Sequence, residues 1–364
     1  MKVFSVLYKT IFKPIAFAID PEFVHDTVSM FGKILGKTRL GQKLIKWMFY
    51  YVDKSLEQDI LDIHFPNPIG LSAGFDKDAE LTDILPDVGF GFAEVGSITG
   101  EPCSGNPKQR LWRLPKSKSL LVWYGLKNKG AEFISKRLKN KQFSIPIGIS
   151  VAKTNCAATV DDTNGINDYA KAFELFKNIG SYTTVNISCP NAFGGQPFTD
   201  PQRLDALLSK LDAIETTKPT FVKLSPDLSI QEVDNLLAVI DEHKVEGIIC
   251  SNLTKNRDNQ KIIEKELPTV GGFSGKVVME ITDNLISYVY KKTNGKYIII
   301  GSGGVFSAED AYDKIKRGAS LIQLITGMIY EGPQLIGEIN AELVKLLKAD
   351  GYKNISEAIG VNSK

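Results

Sequence analysis

The feature that most constrains the fold of this chain is an alternation of short β-prone runs with helix-type stretches from residue 66 onward. Several of the runs are apolar throughout, as strands buried on both faces are. The predicted strands cover residues 68–73, 92–98, 145–151, 183–188, 220–224, 247–251, 297–301 and 320–326. Helices are predicted between them, including residues 169–179, 202–214, 230–242, 279–292 and 308–317.

Eight βα units in succession predict an α/β fold of the TIM (β/α)8 barrel type. A doubly wound sheet is the alternative, but no G-x-G-x-x-G sequence opens a helix after an early strand. The 364 residues are 43% hydrophobic, enough for a barrel-sized core. A net charge of +2 argues against a nucleic-acid partner.

Cysteine and histidine are too sparse for a disulfide framework or a metal centre. The four cysteines stand far apart without a CxxC pair, and the three histidines are scattered. This usage is typical of reduced thiols in a cytosolic compartment. No metal site is therefore predicted. We interpret each of the histidines, His25, His64 and His243, as exposed or satisfied within the structure.

Residues 1–60 differ from the rest in their pattern of basic and apolar residues. They are predicted to form a separate helical module before a barrel domain of residues 61–364. Lysines recur at helical spacing on one face and apolar side chains on the other. Pro14 is expected to kink or end the first helix. Asp20-Pro21-Glu22 predicts the start of the next helix. One interpretation is a helical cap packed on the core. The other is an amphipathic module lying in a membrane surface, with Trp47 and its aromatic neighbours at the headgroups.

Functional side chains of a TIM barrel lie where its strands end. Polar and glycine residues occur at every predicted strand end of this chain, which packing alone does not explain. In chain order they are Ala73, Gly74 and Lys77, then Ser97, Ser150, Asn186, Lys223 and Ser251, then Gly303 and Gly304, and finally Thr326 and Gly327.

The end of the fourth strand carries a thiol, Cys189, between two carboxamides, Asn186 and Asn191. A thiolate can accept a proton, and Asn side chains both donate to and accept from a planar heterocycle. Gly303-Gly304, placed after the seventh of eight strands, matches the phosphate site that recurs in these barrels. A second glycine-rich segment, Gly271 to Gly275, is predicted as a loop against which a flat ring or a phosphate tail can lie.

Together these motifs resemble the dihydroorotate dehydrogenase family, the FMN enzymes of pyrimidine biosynthesis, over nearly the whole chain. The carriers of the resemblance are Asn67 to Leu71, Ala73 to Asp78, Asn186 to Asn191, Lys223, Ser251-Asn252, Gly271 to Gly275 and Gly301 to Gly304. Asp20-Pro21-Glu22 with His25, and Gly105 to Leu114, are similar to the membrane-associated, quinone-using class 2.

The resemblance implies roles for individual residues. Cys189 would be the catalytic base that takes a proton from dihydroorotate while hydride leaves the neighbouring carbon for the flavin. Lys77, Asn186, Asn191 and Asn252 would bind the substrate. FMN would be bound by Ala73, Gly74, Lys77, Ser97, Ser150, Asn186, Lys223, Ser251, Gly275, Gly303, Gly304, Thr326 and Gly327. Lys223 would stabilise the negative charge of the reduced flavin.

Two departures from the class 2 pattern leave alternatives open. Class 2 enzymes typically carry Ser where this chain has Cys189, a class 1 feature, and Val122 stands where the family usually has a fourth substrate-binding Asn. Asn128 is one candidate to replace that amide. The primary prediction is dihydroorotate oxidation with a membrane quinone as acceptor, by a peripheral protein on the cytoplasmic side of a membrane. The alternatives are another dihydropyrimidine or enone substrate, a soluble acceptor such as fumarate in a cytoplasmic enzyme, or a flavin-binding scaffold without activity.

Overall fold

A computed structural model describes residues 2–363 of the chain. Eight parallel strands close into a barrel, so the predicted TIM barrel is confirmed. Each strand pairs with its predecessor and successor in the chain, and the eighth pairs with the first. The barrel strands are Ile69–Leu71, Phe92–Thr99, Ile147–Ala152, Tyr182–Asn186, Thr220–Lys223, Gly247–Cys250, Ile298–Ser302 and Leu321–Leu324.

Helices cover the outside of the barrel and are found at all five predicted places. The helices of the barrel are Leu85–Val88, Ala131–Leu138, Asp162–Phe176, Pro201–Asp212, Ile230–Asp241, Met279–Lys292, Ala308–Lys316, Thr326–Glu331 and Leu335–Asp350. Met279–Lys292 has the predicted ends. The helix predicted at 169–179 begins earlier, because the Asp161 side chain accepts a hydrogen bond from the Asn164 amide and caps the first turn.

The N-terminal extension is helical, as predicted, and consists of Lys2–Leu7, Lys13–Phe17, Pro21–Gly36 and Arg39–Phe49. Asp20 caps the third of these through the Phe23 amide. The chain does not leave helical geometry at Pro14; the irregularity there takes the form of a π-helical segment, Tyr8–Phe12. Within residues 2–363, no helix has the length and apolar character needed to cross a membrane.

A hairpin, Gln58–Ile60 with Ile63–Phe65, closes the bottom of the barrel, the end at which its strands begin. The Gln58 amide donates to the Ser320 carbonyl at 3.0 Å, and the rings of Phe65 and Phe92 pack edge to face. The predicted module boundary between residues 60 and 61 falls inside this hairpin.

A small antiparallel sheet lies at the opposite end, over the carboxyl ends of the barrel strands. Its strands are Leu111–Leu114 and Ser119–Val122, with Gly272–Phe273 paired along the second of them. The expectation that Gly271 to Gly275 is only a loop is therefore wrong at its centre. The sheet joins the excursions that follow the second and sixth barrel strands, and so it fixes one wall of the site described next.

Candidate active site

The polar strand ends converge on one elongated cavity at the carboxyl end of the barrel. Two connected lobes share Ala73, Lys223, Asn252, Thr326 and a few neighbours. One lobe also contains the predicted residues Ser251, Gly275, Gly303, Gly304 and Gly327. The other contains Gly74, Lys77, Ser97, Asn186, Cys189 and Asn191.

Ser150 is the one predicted site residue that does not line the cavity. It is fully buried in the barrel interior, where its hydroxyl lies 2.7 Å from that of Ser97. Ser97 in turn accepts a hydrogen bond from Asn186 Nδ2 at 2.8 Å. Ser150 therefore supports the cavity residue Ser97 through this contact, and its direct contact with the cofactor stays a prediction.

The first lobe is built from glycine turns that bring backbone amides close together. Gly303 and Gly304 both have positive φ, 136° and 74°, which side-chain-bearing residues rarely adopt. A Cβ on Gly327 would lie 1.9 Å from the Val305 carbonyl oxygen, so only glycine fits there. Ser274 and Thr326 complete the wall, with their hydroxyls 2.8 Å apart. Hydroxyls and closely approached backbone are the groups that hold a phosphate.

The second lobe places Cys189 among three Asn side chains. Asn252 Nδ2 donates to Asn186 Oδ1 at 3.2 Å and to Ser188 Oγ at 3.0 Å, which fixes both amides. Asn191 Nδ2 donates to the Val122 carbonyl at 2.8 Å. Each Asn keeps part of its hydrogen-bonding capacity for a ligand, because the described contacts use only some of its donors and acceptors.

The charged groups that line the cavity are all cationic. Within residues 2–363, its walls contain Lys77, Lys127 and Lys223 and no carboxylate. Burial lowers the pKa of Lys77 to about 8, and it also lowers the pKa of Lys223, against the opposing effect of Glu94. Such a site favours an anionic ligand, since an added negative charge compensates the buried amines.

Burial raises the pKa of the Cys189 thiol above its usual value. A hydrogen bond from the Asn191 amide and the cations Lys255 and Lys153 oppose this shift without cancelling it. Lys153 also holds the loop that carries the thiol, because its ammonium donates to the Phe193 carbonyl at 2.8 Å. The thiol is thus protonated at neutral pH in the ligand-free site.

The mouth of the second lobe lies beneath the N-terminal helices. His25, from Pro21–Gly36, lines the cavity, and its Nε2 lies 3.0 Å from the Phe75 carbonyl oxygen. Lys77 lies 4.0 Å from the centre of the Tyr124 ring, which also faces the cavity. Apolar side chains complete the mouth, namely Phe75, Leu111, Leu120, Leu126, Ile325 and Ile329.

Sequence reasoning did not assign Tyr124 to the site. It named His25 as part of the class 2 resemblance and interpreted it as an exposed or satisfied histidine, without placing it at the cavity. Two β-prone runs, Leu111 to Leu114 and Leu120 to Val122, stand on either side of a Pro-Lys-Ser-Lys turn. They are a hairpin signal that would have placed Tyr124 beside the rim. The site contact of His25 has no comparable signal, because it depends on how the N-terminal helices dock.

Val122 lines the cavity at the position where an amide was expected. Asn128 does not replace that amide. Its side chain donates to Thr99 Oγ1 at 2.7 Å and to the Leu126 carbonyl at 2.8 Å, and it accepts from the Gly130 amide. These bonds hold Asn128 within its own loop, away from the cavity lining. The pocket therefore has an apolar patch where the family usually offers an amide.

The arrangement fits a flat ring system with a phosphate tail. The glycine lobe has the hydroxyls and closely approached backbone that a phosphate needs, and the shared wall with Lys223 leads to the lobe that contains the thiol and the amides. These residues fit a flavin. Among the described residues no cluster of His, Cys, Asp or Glu is arranged to hold a metal ion.

Comparisons with known proteins agree with this site. The family model described as dihydroorotate dehydrogenase matches residues 55–347. Curated relatives named dihydroorotate dehydrogenase (quinone) include those of Trichodesmium erythraeum, 36% identical over 98% of this chain and 99% of the relative, and Nostoc punctiforme, 38% identical with the same coverage. The crystal structure of dihydroorotate dehydrogenase from Eimeria tenella in complex with ferulenol superimposes with a TM-score of 0.85 at 28% identity, covering 95% of this chain and 96% of that one.

The matches extend over nearly the whole length, including the N-terminal helices as well as the barrel. The curated relatives' names carry the quinone designation that Asp20-Pro21-Glu22 and the Gly105 to Leu114 stretch had predicted. The predicted family and enzyme class are confirmed, and members of this family are flavoproteins. The chain belongs to the dihydroorotate dehydrogenase family.

Proposed function

We propose that this chain oxidises dihydroorotate to orotate with FMN as its cofactor, and that a membrane quinone receives the electrons. The observation that carries the proposal is the single cavity that joins a glycine phosphate lobe to Cys189 and three Asn side chains. Among the described residues, the charged side chains that line this cavity are all lysines. Their positive charge matches an anionic cofactor and an anionic substrate.

FMN supplies the hydride acceptor when it is bound. Gly303, Gly304 and Gly327 would hold its phosphate, and Lys223 would stand beside its ring. Dihydroorotate loses two electrons and two protons in becoming orotate. The Cys189 thiolate accepts one proton, and the other hydrogen leaves the adjacent carbon as hydride.

Lys77 and the three Asn side chains would orient the substrate. The Lys77 ammonium would pair with the substrate carboxylate, since a buried cation needs an anionic partner. Asn186, Asn191 and Asn252 would bind the ring amides through the donors and acceptors that their mutual hydrogen bonds leave free. Their rigidity positions the carbon that loses its proton beside Cys189, which is how a preformed site contributes to catalysis.

The quinone proposal rests on the N-terminal helices. Among residues 2–363, sixteen of the twenty-two exposed large apolar side chains lie within residues 3–52, and Leu40 and Trp47 are 81% and 77% exposed. Such a concentration of exposed apolar side chains supports a membrane or protein contact. Lysines at the same helices match the anionic headgroups of a membrane surface. The helices that carry this surface also cover the cavity mouth, so a quinone dissolved in the membrane would reach the flavin there.

Release of the cofactor tests the flavin assignment. Purified protein should be yellow and should release FMN on denaturation, identified by chromatography. Recovery of FAD, or of a colourless protein that does not take up FMN, would contradict the proposal, because the proposed site holds a monophosphate.

Liposome binding tests the membrane assignment. Leu40→Ser with Trp47→Ser should weaken co-sedimentation with anionic vesicles and lower turnover with a long-tailed quinone, while a small soluble dye still accepts electrons. The matched control is Phe133→Ser with Ile230→Ser, which removes apolar side chains of 50% and 57% exposure from the barrel. An equal loss of vesicle binding and quinone turnover in both variants, or no vesicle binding by the unmodified chain, would contradict the membrane assignment. The N-terminal helices would then have only a structural role, and a soluble acceptor would be favoured.

A second candidate substrate class follows from Val122. The apolar patch that it gives the pocket removes one hydrogen-bonding partner, worth about 1–3 kcal/mol for a buried ligand group. A dihydropyrimidine with a less polar group at that position would fit the pocket better than dihydroorotate. A panel of dihydropyrimidines, ranked by the rate of flavin bleaching, separates the two candidates. Val122→Asn should shift the preference toward dihydroorotate.

A further inference from the structure

The barrel interior contains a polar layer between an apolar plug and the cavity. Inward-facing side chains recur at every second residue of a strand. The plug contains Phe92, Tyr182, Phe221 and Leu321, and two residues further along each of these strands lie Glu94, Thr184, Lys223 and Gln323. All four polar residues are buried, Glu94 completely. A carboxylate and an ammonium therefore share this buried layer, and the ammonium borders the cavity.

Glu94 is the hub of this layer. Its Oε2 accepts hydrogen bonds from Thr184 Oγ1 at 3.0 Å, Gln323 Nε2 at 3.0 Å and the Tyr182 hydroxyl at 3.4 Å. Its Oε1 has no partner, and neither does Gln323 Oε1. Buried oxygens without a donor are uncommon and call for an explanation. Two such oxygens in one layer constitute a local excess of acceptors.

Lys223 is the cation of this layer. Its side chain is 4% exposed and lines both lobes of the cavity above Glu94. Within residues 2–363 its ammonium has no hydrogen-bond acceptor. Burial lowers its pKa, and the two groups that oppose this are Glu94 and Cys189, Glu94 being the larger effect. Tyr182 also packs against Glu94, and Lys77 is another cation of the cavity wall.

We propose that Glu94 is a positioning residue that acts through Lys223, as the buried counter-charge that keeps this ammonium protonated and thereby sets the reduction potential of a flavin bound in the cavity. The proposal rests on the proposed function, because it concerns the cofactor that the cavity would hold. The attraction between two buried charges is strong because the surroundings are of low polarity. Without Glu94, Lys223 loses the larger of the two effects that oppose the cost of its burial, so it carries its charge over a narrower pH range.

The test is the flavin midpoint potential of the Glu94→Gln variant, measured by anaerobic reductive titration between pH 6 and pH 9. Reduction places negative charge on the flavin, and a neutral Lys223 stabilises that charge less. We expect a fall in the potential that grows with pH, corresponding to about a tenfold change in the redox equilibrium, or about 30 mV for a two-electron couple. Flavin content and the far-ultraviolet spectrum should be unchanged.

Two comparisons isolate the effect. Glu246→Gln makes the same chemical change at the opposite end of the barrel, where Glu246 accepts from the Thr220 amide, and it should leave the potential unaltered. In a Lys223→Met background, Glu94→Gln should have no further effect, because the cation through which it acts is missing. A structural role for Glu94 would instead lower the potential equally in both backgrounds.

The outcomes separate this inference from the function on which it rests. A wild-type protein that binds no flavin would refute the proposed function. A yellow protein whose Glu94→Gln variant keeps the wild-type potential over the whole pH range would overturn the inference alone. If Glu94→Gln does not fold, Glu94→Asp takes its place, since it keeps the charge and withdraws it by one methylene. Because the counter-charge is retained, Glu94→Asp should stay close to the wild-type potential over the whole pH range, and a fall as large as the one expected for Glu94→Gln would overturn the inference.

Discussion

The proton-accepting role of Cys189 makes a prediction that depends on its burial. Because burial raises the pKa of the thiol above its usual value of about 8.5, well under about 3% of it is thiolate at pH 7. The rate of flavin reduction at saturating dihydroorotate should therefore rise about tenfold per pH unit. It should show no plateau at the pKa of an ordinary thiol.

Substitution of the thiol gives the magnitude. Cys189→Ala should retain the flavin and reduce it about 100-fold to 10,000-fold more slowly, the usual range for loss of a general base. Cys189→Ser, which restores the residue typical of class 2, should reduce flavin without the thiol's pH dependence. The matched control is Cys156→Ala, since Cys156 is half-buried and lies outside the cavity lining.

The assay is anaerobic stopped-flow absorbance of the flavin after mixing with dihydroorotate, from pH 6 to pH 10. Near-normal reduction in Cys189→Ala would remove the thiol from the mechanism. A plateau near pH 8.5 in the unmodified protein would show that Lys153, Lys255 and the Asn191 amide outweigh burial, against the balance that the structure indicates.

Three further predictions concern buried charges. Orotate should bind about tenfold more weakly for each pH unit above about 8, where Lys77 loses its proton, and Lys77→Met should abolish this dependence; flavin absorbance titrations measure both. Asp283→Asn leaves the fully buried Lys314 without its counter-charge and should lower the free energy of unfolding by about 3–5 kcal/mol in urea, whereas a loss below about 1 kcal/mol would contradict the expected value of the pair. Glu22→Ala leaves Arg110 unpaired where Pro21–Gly36 meets the rim sheet, so quinone turnover should fall while anaerobic reduction by dihydroorotate continues; equal loss of both activities would refute this reading.

The barrel could be predicted from the sequence because its strands obey two independent rules. Strands such as Gly247–Cys250 are apolar throughout, since both of their faces are buried, and the polar residue that ends each strand identifies its rim. All eight strands were found for this reason. Their ends differ from the predicted ends by at most two residues. The helix predicted at 169–179 starts earlier because Asp161 caps its first turn.

Most predicted site residues line one cavity for the same reason. The glycine turns at Gly303 and Gly304 and the Asn-Cys-Asn run lie at fixed offsets from strand ends, so their positions follow from the topology. Ser150 does not line the cavity, because its hydroxyl contacts Ser97 instead. The sequence does not show which way such a strand residue faces, since this depends on side-chain packing inside the barrel.

Contacts between distant segments escaped sequence reasoning. The Glu22–Arg110 pair and the approach of His25 to Phe75 join residues 88 and 50 positions apart in the chain. The small sheet over the rim pairs Ser119–Val122 with Gly272–Phe273, so it depends on two excursions that meet only in the folded barrel. The fate of Asn128 was likewise decided by a loop hydrogen bond to Thr99 and not by its sequence neighbourhood.

The central claim is that this cavity transfers hydride from dihydroorotate to a bound flavin, and one measurement tests it most directly. Flavin-loaded protein is mixed anaerobically with dihydroorotate in the absence of quinone, and flavin absorbance and orotate are followed together. We predict complete bleaching of the flavin, with one orotate formed for each flavin reduced. A flavin that stays oxidised in excess dihydroorotate, yet is bleached by dithionite, would contradict the claim.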